Sequence, residues 1–429
     1  MSPTPRAAAA LAAIALLALV VGPLLAAMLA AALAGALIAD ANIARRPPRA
    51  RRRVPSIVAR GVAARLAVEL TGEAARGRVR VRQARAAPEI ELAPQEGDGG
   101  LEAELVVRRR GRFTLPPASL RVSGPLGLAT WDHAVGEAHE LLVYPDLPAA
   151  RRLALAVRSG SFRESGDRSR GPLGLGTEFE SIRDYLPDDD IRQVNWPATV
   201  RMGRPMSNQY RVESDRDVIC VLDCGRLMAA PLTSLSTISG GSRLGGATRL
   251  DIAIDAATAV GLVADELGDR CGTVAFDATV HRRLTPRRRG GDALVRAVFD
   301  LQPSTVDSDY ELAFATIAGA KRALVIVFTD LIEEVAARSL VAAVPVLARR
   351  HEVVVAGVVD PDLDALLRAR PSHELDVYRS AAALDVLVAR ERAAARVRAA
   401  GARVLETAPS ELGRACVGAY LTAKARARI

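Results

Sequence analysis

Val218-Ile-Cys-Val-Leu-Asp223 is a short apolar, largely β-branched run that ends on a carboxylate, and its reading decides the fold of the second half of this 429-residue chain. A run without polar alternation belongs in a strand buried on both faces. Ala323-Leu-Val-Ile-Val-Phe328 has the same character and is followed by Thr329-Asp330. Around these two runs, strands are expected at 217–222, 271–276, 323–329, 352–359 and 402–406. Helical periodicity predicts helices at 248–267, 290–301, 334–349, 376–399 and 409–425. Alternating strands and helices imply a parallel sheet covered on both faces, a doubly wound α/β fold over 216–429. Ligands of such folds sit beyond the C-terminal strand ends. That is where Asp223 and Asp330 would meet, and paired carboxylates suit hard cations such as Mg²⁺.

Just before this region lies Gly176-Thr-Glu-Phe-Glu-Ser-Ile-Arg-Asp-Tyr-Leu-Pro-Asp-Asp-Asp-Ile-Arg-Gln-Val-Asn-Trp196. It is dense in Asp, Arg, Tyr and Trp in a chain only 3% aromatic. The surrounding residues 151–215 read as a Gly-rich loop with this ordered segment inside it. Asp188-Asp189-Asp190 cannot be buried without cations, and Arg183, Arg192 and Arg201 are near enough to supply them. The expected role is structural: an Arg–Asp network, with Tyr185 and Trp196 packing the segment onto the α/β domain. A metal-dependent hydrolase built on the acidic run is the sharper alternative. It lacks His ligands and a nucleophile paired with a base.

Residues 7–39 carry no charge and no polar side chain. A single helix of that length would reach roughly 50 Å, against a hydrocarbon core of about 30 Å. Gly22-Pro23 divides the run, so a transmembrane helical hairpin is expected within residues 1–53. A secretory signal peptide is the rival reading. Arg6 precedes the run, and Arg45, Arg46, Arg49, Arg51, Arg52 and Arg53 follow it. Positive charge at both ends favours both ends inside, with the soluble parts in the cytoplasm and the protein held in the plasma membrane. Residues 54–150 alternate charged and apolar residues, as in Arg78-Val-Arg-Val-Arg82, and predict about seven strands in a β-sandwich-like domain.

The net charge of +9 does not imply nucleic acid, because the one dense Arg cluster flanks the apolar run and aromatic stacking platforms are missing. The four cysteines form no CxxC pair. Neither a zinc site nor a disulfide framework is expected.

The chain resembles the bacterial domain-of-unknown-function family fifty-eight, MoxR-associated proteins with a von Willebrand factor A-like C-terminal part. The resemblance rests on Gly176, Glu178, Phe179, Ile182, Arg183, Tyr185, Pro187, Asp189, Asp190, Arg192, Trp196, Thr199 and Arg201. Asp188 and Asn195 depart from the family's Gly and Asp. Arg110-Gly-Arg-Phe-Thr-Leu, Gly124-Pro-Leu-Gly-Leu128 and Val143-Tyr-Pro145 are further landmarks. The resemblance implies a partner, a MoxR-type AAA+ ATPase, and a role in chaperone-like assembly or maturation of other proteins. With the membrane segment and the absence of a catalytic set, the expected function is a non-enzymatic, membrane-anchored scaffold or adaptor. No Walker-type motif is present, so ATP hydrolysis is left to that partner.

In von Willebrand A domains a metal-ion-dependent adhesion site begins D-x-S-x-S. Here the loop reads Asp223-Cys-Gly-Arg-Leu227, with only the Asp kept. The resemblance places Ser308 in the position of the site's Thr and Asp330 in that of its third-loop Asp. Two readings stay open. Asp223, Ser308 and Asp330 hold Mg²⁺ with several waters, in a Mg-dependent adhesion-type module, or Arg226 pairs with Asp223 or Asp330 and replaces the metal. The expectation is metal-independent partner binding, with Arg226 contacting an acidic group and no cofactor required.

Overall fold

A computed structural model describes residues 2–71, 79–162, 178–186, 191, 194–211, 216–232, 247–331 and 334–426. The chain divides into two compact units, Met1–Val143 and Tyr144–Ile429.

The first unit opens with two helices, α1 (Pro5–Val21) and α2 (Pro23–Ala44). Gly22 separates them at φ 88°, a backbone conformation open mainly to glycine, and Pro23 begins the second helix. By length and composition α2 can cross a membrane, and α1 is a shorter apolar helix packed against it. Eleven strands follow among the described residues between Ala50 and Tyr144, where periodicity predicts about seven. The extra ones are three- and four-residue pieces too short to stand out in the sequence. They form four-stranded and three-stranded sheets, and most of a five-stranded sheet that also takes in Ser2–Pro3. Alternate residues of these strands, among them Leu66, Val81, Leu105, Leu120 and Leu141, fill one apolar core.

The second unit is built on one six-stranded sheet: β1 (Asp217–Asp223), β2 (Arg270–Phe276), β3 (Val280–Arg287), β4 (Ala323–Phe328), β5 (Glu352–Val358) and β6 (Arg403–Thr407). Their spatial order is β3-β2-β1-β4-β5-β6. All neighbours are parallel except β3, which runs antiparallel to β2. Even-numbered β1 residues Val218, Cys220 and Leu222 pack with α5 (Arg249–Glu266) and α11 (Leu412–Ala425) on one face. Ile219 and Val221 pack with α7 (Tyr310–Ala315), α8 (Glu334–Ala348) and α10 (Glu374–Ala399) on the other, and the short α9 (Pro361–Arg368) packs on α10. Helices on both faces explain why these strands are apolar at every position.

The five strands and five helices read from periodicity match observed elements to within a few residues at each end. β3 is unexpected, because it lies at the sheet edge with most of its side chains half or fully exposed and reads as a basic loop. The contact boundary falls at 143/144, ahead of the 150/151 boundary drawn from composition. Helix α3 (Leu147–Arg158) packs on α5, and the Asp146 amide donates to Asp255 Oδ1 at 3.0 Å. Within the nominal loop, Glu178–Asp184 pairs with Met206–Arg211 as an antiparallel ribbon, and the helix α4 (Trp196–Met202) lies between them in sequence.

α6 (Gly290–Val298) starts where the chain must pass close to β2: a Cβ on Gly290 would overlap the Cys271 carbonyl oxygen. Gly290→Ala is expected to destabilise the fold by about 3 kcal/mol through overpacking against backbone. Denaturant unfolding of wild type and variant checks this, and equal midpoints would count against the tight passage.

Candidate functional site

The C-terminal ends of β1 and β4 lie side by side, with Leu222 opposite Phe328, and each strand delivers a carboxylate. Asp223 is 2% exposed. Its Oδ1 accepts from the Gly225 amide at 2.8 Å and from the Ser308 hydroxyl. Its Oδ2 accepts from Tyr310 Oη at 2.7 Å and Thr329 Oγ1 at 2.6 Å. Tyr310 Oη and Thr329 Oγ1 also lie 2.7 Å apart. Two hydroxyl protons thus serve three close oxygen pairs, and all of them face one buried charge. Burial first, and the Asp223 charge second, push the Tyr310 phenol well above its usual range, so it stays a donor at neutral pH.

The glycine at 225 has a direct reason. A Cβ there would overlap Ser308 Oγ and come within 3.1 Å of Asp223 Oδ1. The Ser308 hydroxyl occupies the space that a serine at 225 would need. Losing one hydroxyl of the D-x-S-x-S pattern is therefore coupled to the inward position of another.

Asp330 is 4% exposed and belongs to a different network. Its carboxylate is ion-paired with Arg249 and, at 3.2 Å, with Arg390 Nη1. Arg249 sits in the first turn of α5, where Thr248 and Asp251 form a capping box. Arg390 also holds Glu406 at 3.0 Å, and both arginines donate to the Val358 carbonyl, at 3.1 and 2.9 Å. Two buried cations thus face two carboxylates. Burial outweighs the opposing pull of Arg249 and Arg390 and raises the Asp330 carboxyl to about 6. It is mainly ionised at neutral pH.

These contacts correct one expectation. Arg226 pairs with neither Asp223 nor Asp330. It lies in a short 3-10 turn, Arg226–Ala229, and its Nε donates to Asp307 Oδ1 at 3.1 Å in an exposed pair. Guanidinium does neutralise Asp330, but from Arg249 and Arg390. Arg390 had a readable signal: with Ala393, Ala394 and Val397 it occupies the buried i, i+3, i+4, i+7 face of α10. Arg249 had none, since an Arg in the first turn of a helix reads as solvated. Tyr310 and Thr329 were also missed, being a Tyr at a helix start and a Thr inside an expected strand.

The structure brings Asp223 and Ser308 together and places Asp330 one strand away, turned to its arginines. Among the described residues no cluster of three His, Cys, Asp or Glu side chains has metal-binding geometry.

The segment read as an Arg–Asp network is only partly described; Asp188, Asp189, Asp190 and Arg192 lie outside the described residues. The expected burial of Trp196 is wrong: it is 64% exposed. Polar bonds hold α4 in its place. Asn195 Oδ1 caps the helix at the Ala198 amide, 2.9 Å away, and Asn195 Nδ2 donates to Asn208 Oδ1 at 2.7 Å. Thr199 Oγ1 accepts from the Met206 amide at 2.9 Å. Trp196, as the first helical residue, then faces solvent, as do Val200 and Met202. Arg201 is exposed on the same helix, Arg183 Nη1 donates to the Asp184 carbonyl at 3.0 Å, and the Tyr185 amide donates to the Pro205 carbonyl, also at 3.0 Å. Asn195 serves as the cap that the family's Asp would supply.

Comparison with known proteins gives a match over residues 181–404 to the family described as "Protein of unknown function DUF58". Uncharacterized proteins of Mycobacterium bovis and of two strains of Mycobacterium tuberculosis are each 25% identical over 228 residues. The aligned region spans 51% of this chain and 66% of each relative's length.

Two outcomes follow from this geometry. Tyr310→Phe removes one of two buried donors to Asp223 Oδ2 and should cost about 2 kcal/mol, the scale of a hydrogen bond to a charged group. Denaturant titration measures it, and no loss would contradict the cage. Trp196→Ala should change stability by less than about 1 kcal/mol, because an exposed side chain surrenders little packing. A large drop in melting temperature would return Trp196 to the core.

Proposed function

The chain belongs to the DUF58 family, and we propose that it is a membrane-anchored, protein-binding adaptor rather than a catalyst. Its second unit acts as a von Willebrand A-like domain, and its partner is a MoxR-type AAA+ ATPase engaged in assembly or maturation of other proteins. The strand order with an antiparallel β3 edge, and the meeting of Asp223 and Ser308 at the C-terminal end of β1, support the von Willebrand A-like reading. The enclosed state of Asp223 is the observation that carries the binding mode. Each of its oxygens already accepts two protein donors, and Asp330 is balanced by Arg249 and Arg390. A divalent ion would have to displace hydroxyls from one carboxylate and guanidinium from the other, so partner capture here proceeds without one.

The rim of the crevice offers a replacement. Arg226 is paired with Asp307, whose side chain is 80% exposed, and such surface pairs hold weakly. A partner's carboxylate can exchange for Asp307 at small cost and gain bidentate contact. Trp196, Val200 and Met202 supply a second, apolar contact area of the kind enriched in interfaces.

Membrane anchoring rests on the apolar helices. Ser2–Pro3 pairs with Ala129 and Thr130 of the β-rich region, and Thr4 donates its amide to the Leu128 carbonyl at 2.9 Å. This integration favours a retained hairpin over a cleaved leader. Arginines on both flanks support a reading in which the soluble parts face the cytoplasm.

Binding of the full chain to its cognate AAA+ ATPase, measured with and without EDTA and in the absence of ATP, tests the reading. Unchanged affinity in EDTA, with a loss of about 1–2 kcal/mol on Arg226→Ala, is expected for a rim cation. Affinity lost in EDTA, restored by Mg²⁺ and abolished by Asp223→Ala would replace this account with a Mg-dependent adhesion module.

A further inference from the structure

The landmark Gly124-Pro-Leu-Gly-Leu128 plays no part in the crevice, yet both ends of the apolar helix pair converge on it. At the start of α1, Thr4 Oγ1 donates to the Gly127 carbonyl at 2.6 Å. At the end of α2, Asp40 is 1% exposed and accepts three amides of this turn: Leu126 at 2.7 Å, Leu128 at 2.8 Å and Ala129 at 2.9 Å. A Cβ on Gly124 would overlap the Asp40 carboxylate, so glycine is what lets that side chain in. One turn later, His133 Nε2 is 3.0 Å from the Ala44 carbonyl. The turn is clasped to the open end of the helix pair.

Cations and an aromatic ring surround this clasp. Arg6, Arg45 and Arg46 are exposed, and none has a carboxylate partner among the described residues. Asp40 forms no ion pair with them; its oxygens accept backbone amides. The Arg45 guanidinium stands 5.6 Å over the Trp131 ring, and Leu126 at the tip of the turn is 57% exposed. If the helices enter a bilayer, a turn bonded to both of their ends is held at the lipid–water boundary. Arg, Trp and an exposed Leu side by side suit that boundary.

We propose that the open end of the helix pair is a binding site for anionic phospholipid headgroups, formed by Arg6, Arg45 and Arg46 around the 124–131 segment. The inference rests on the membrane-anchored reading above and adds a ligand class to it. The guanidinium groups take the headgroup phosphate, for which their planar fork is matched. Trp131 lies at the level of the headgroups, and Leu126 inserts among the acyl chains. Asp40 is a positioning residue that fixes the turn against the helices.

The test uses the full chain carrying Trp196→Phe, which leaves Trp131 as the one tryptophan of two. The protein is reconstituted in vesicles of phosphatidylcholine alone or mixed with phosphatidylglycerol, and acrylamide quenching of Trp131 is read. Quenching should fall about twofold in the anionic vesicles, since basic side chains are drawn to an anionic surface. Arg6→Gln/Arg45→Gln/Arg46→Gln should abolish that difference while the protein still resists extraction by alkaline carbonate. Inorganic phosphate added to phosphatidylcholine vesicles should leave quenching unchanged. Equal quenching in both vesicle types, persistence of the difference in the triple variant, or its reproduction by phosphate would each overturn the headgroup site. Extraction of the parent protein by carbonate would instead show that the membrane-anchored reading fails, and the site with it.

Discussion

The buried carboxylate of Asp223 is the constraint around which the second unit is arranged. A charge at the end of a fully apolar strand is costly unless several donors reach it. Here they come from three different places: a backbone amide at Gly225, the hydroxyls of Ser308 and Tyr310 from the segment entering α7, and Thr329 at the end of β4. Satisfying one anion thus fixes the β1 loop, the start of α7 and the β4 end relative to one another. The same donors give each carboxylate oxygen two hydrogen bonds from within the protein.

Asp330 solves the same problem with charge. Arg249 from α5 and Arg390 from α10 reach it from helices on opposite faces of the sheet, and both also hold the Val358 carbonyl at the end of β5. Breaking such a network by removing one member strands the remaining buried charges, which makes it a rigid feature. Rigid ends of β1, β4 and β5 form a floor, and the exchangeable groups stand on its rim. The proposed adaptor reading draws on that division, a closed floor beside an exposed Arg226–Asp307 pair.

The sheet was legible because burial on both faces leaves no choice of residue: Val218–Leu222 and Ala323–Phe328 can be little else. Where burial is one-sided the signal fades, as with β3, whose arginines and histidine face solvent at the sheet edge. The site was legible only in part. Asp223 and Asp330 stand out as acids ending apolar runs, but their partners come from distant sequence, and no spacing links Asp330 to Arg249 or Arg390. Trp196 misled because a tryptophan in a polar segment reads as core, whereas a capped seven-residue helix held by side-chain amides turns it outward. Asp40 escaped notice because an acid that follows an apolar run reads as its solvated end; here it is the point at which α2 is bonded to the β-rich region.

Asp223 draws all four of its hydrogen bonds from within the protein. Titration of the full chain against Mn²⁺, with free ion followed by electron paramagnetic resonance, asks this of the carboxylate directly and without any partner. The free-ion signal is expected to follow the total added, with wild type and Asp223→Asn behaving alike. Saturable uptake of one ion per chain, lost in Asp223→Asn, would contradict it.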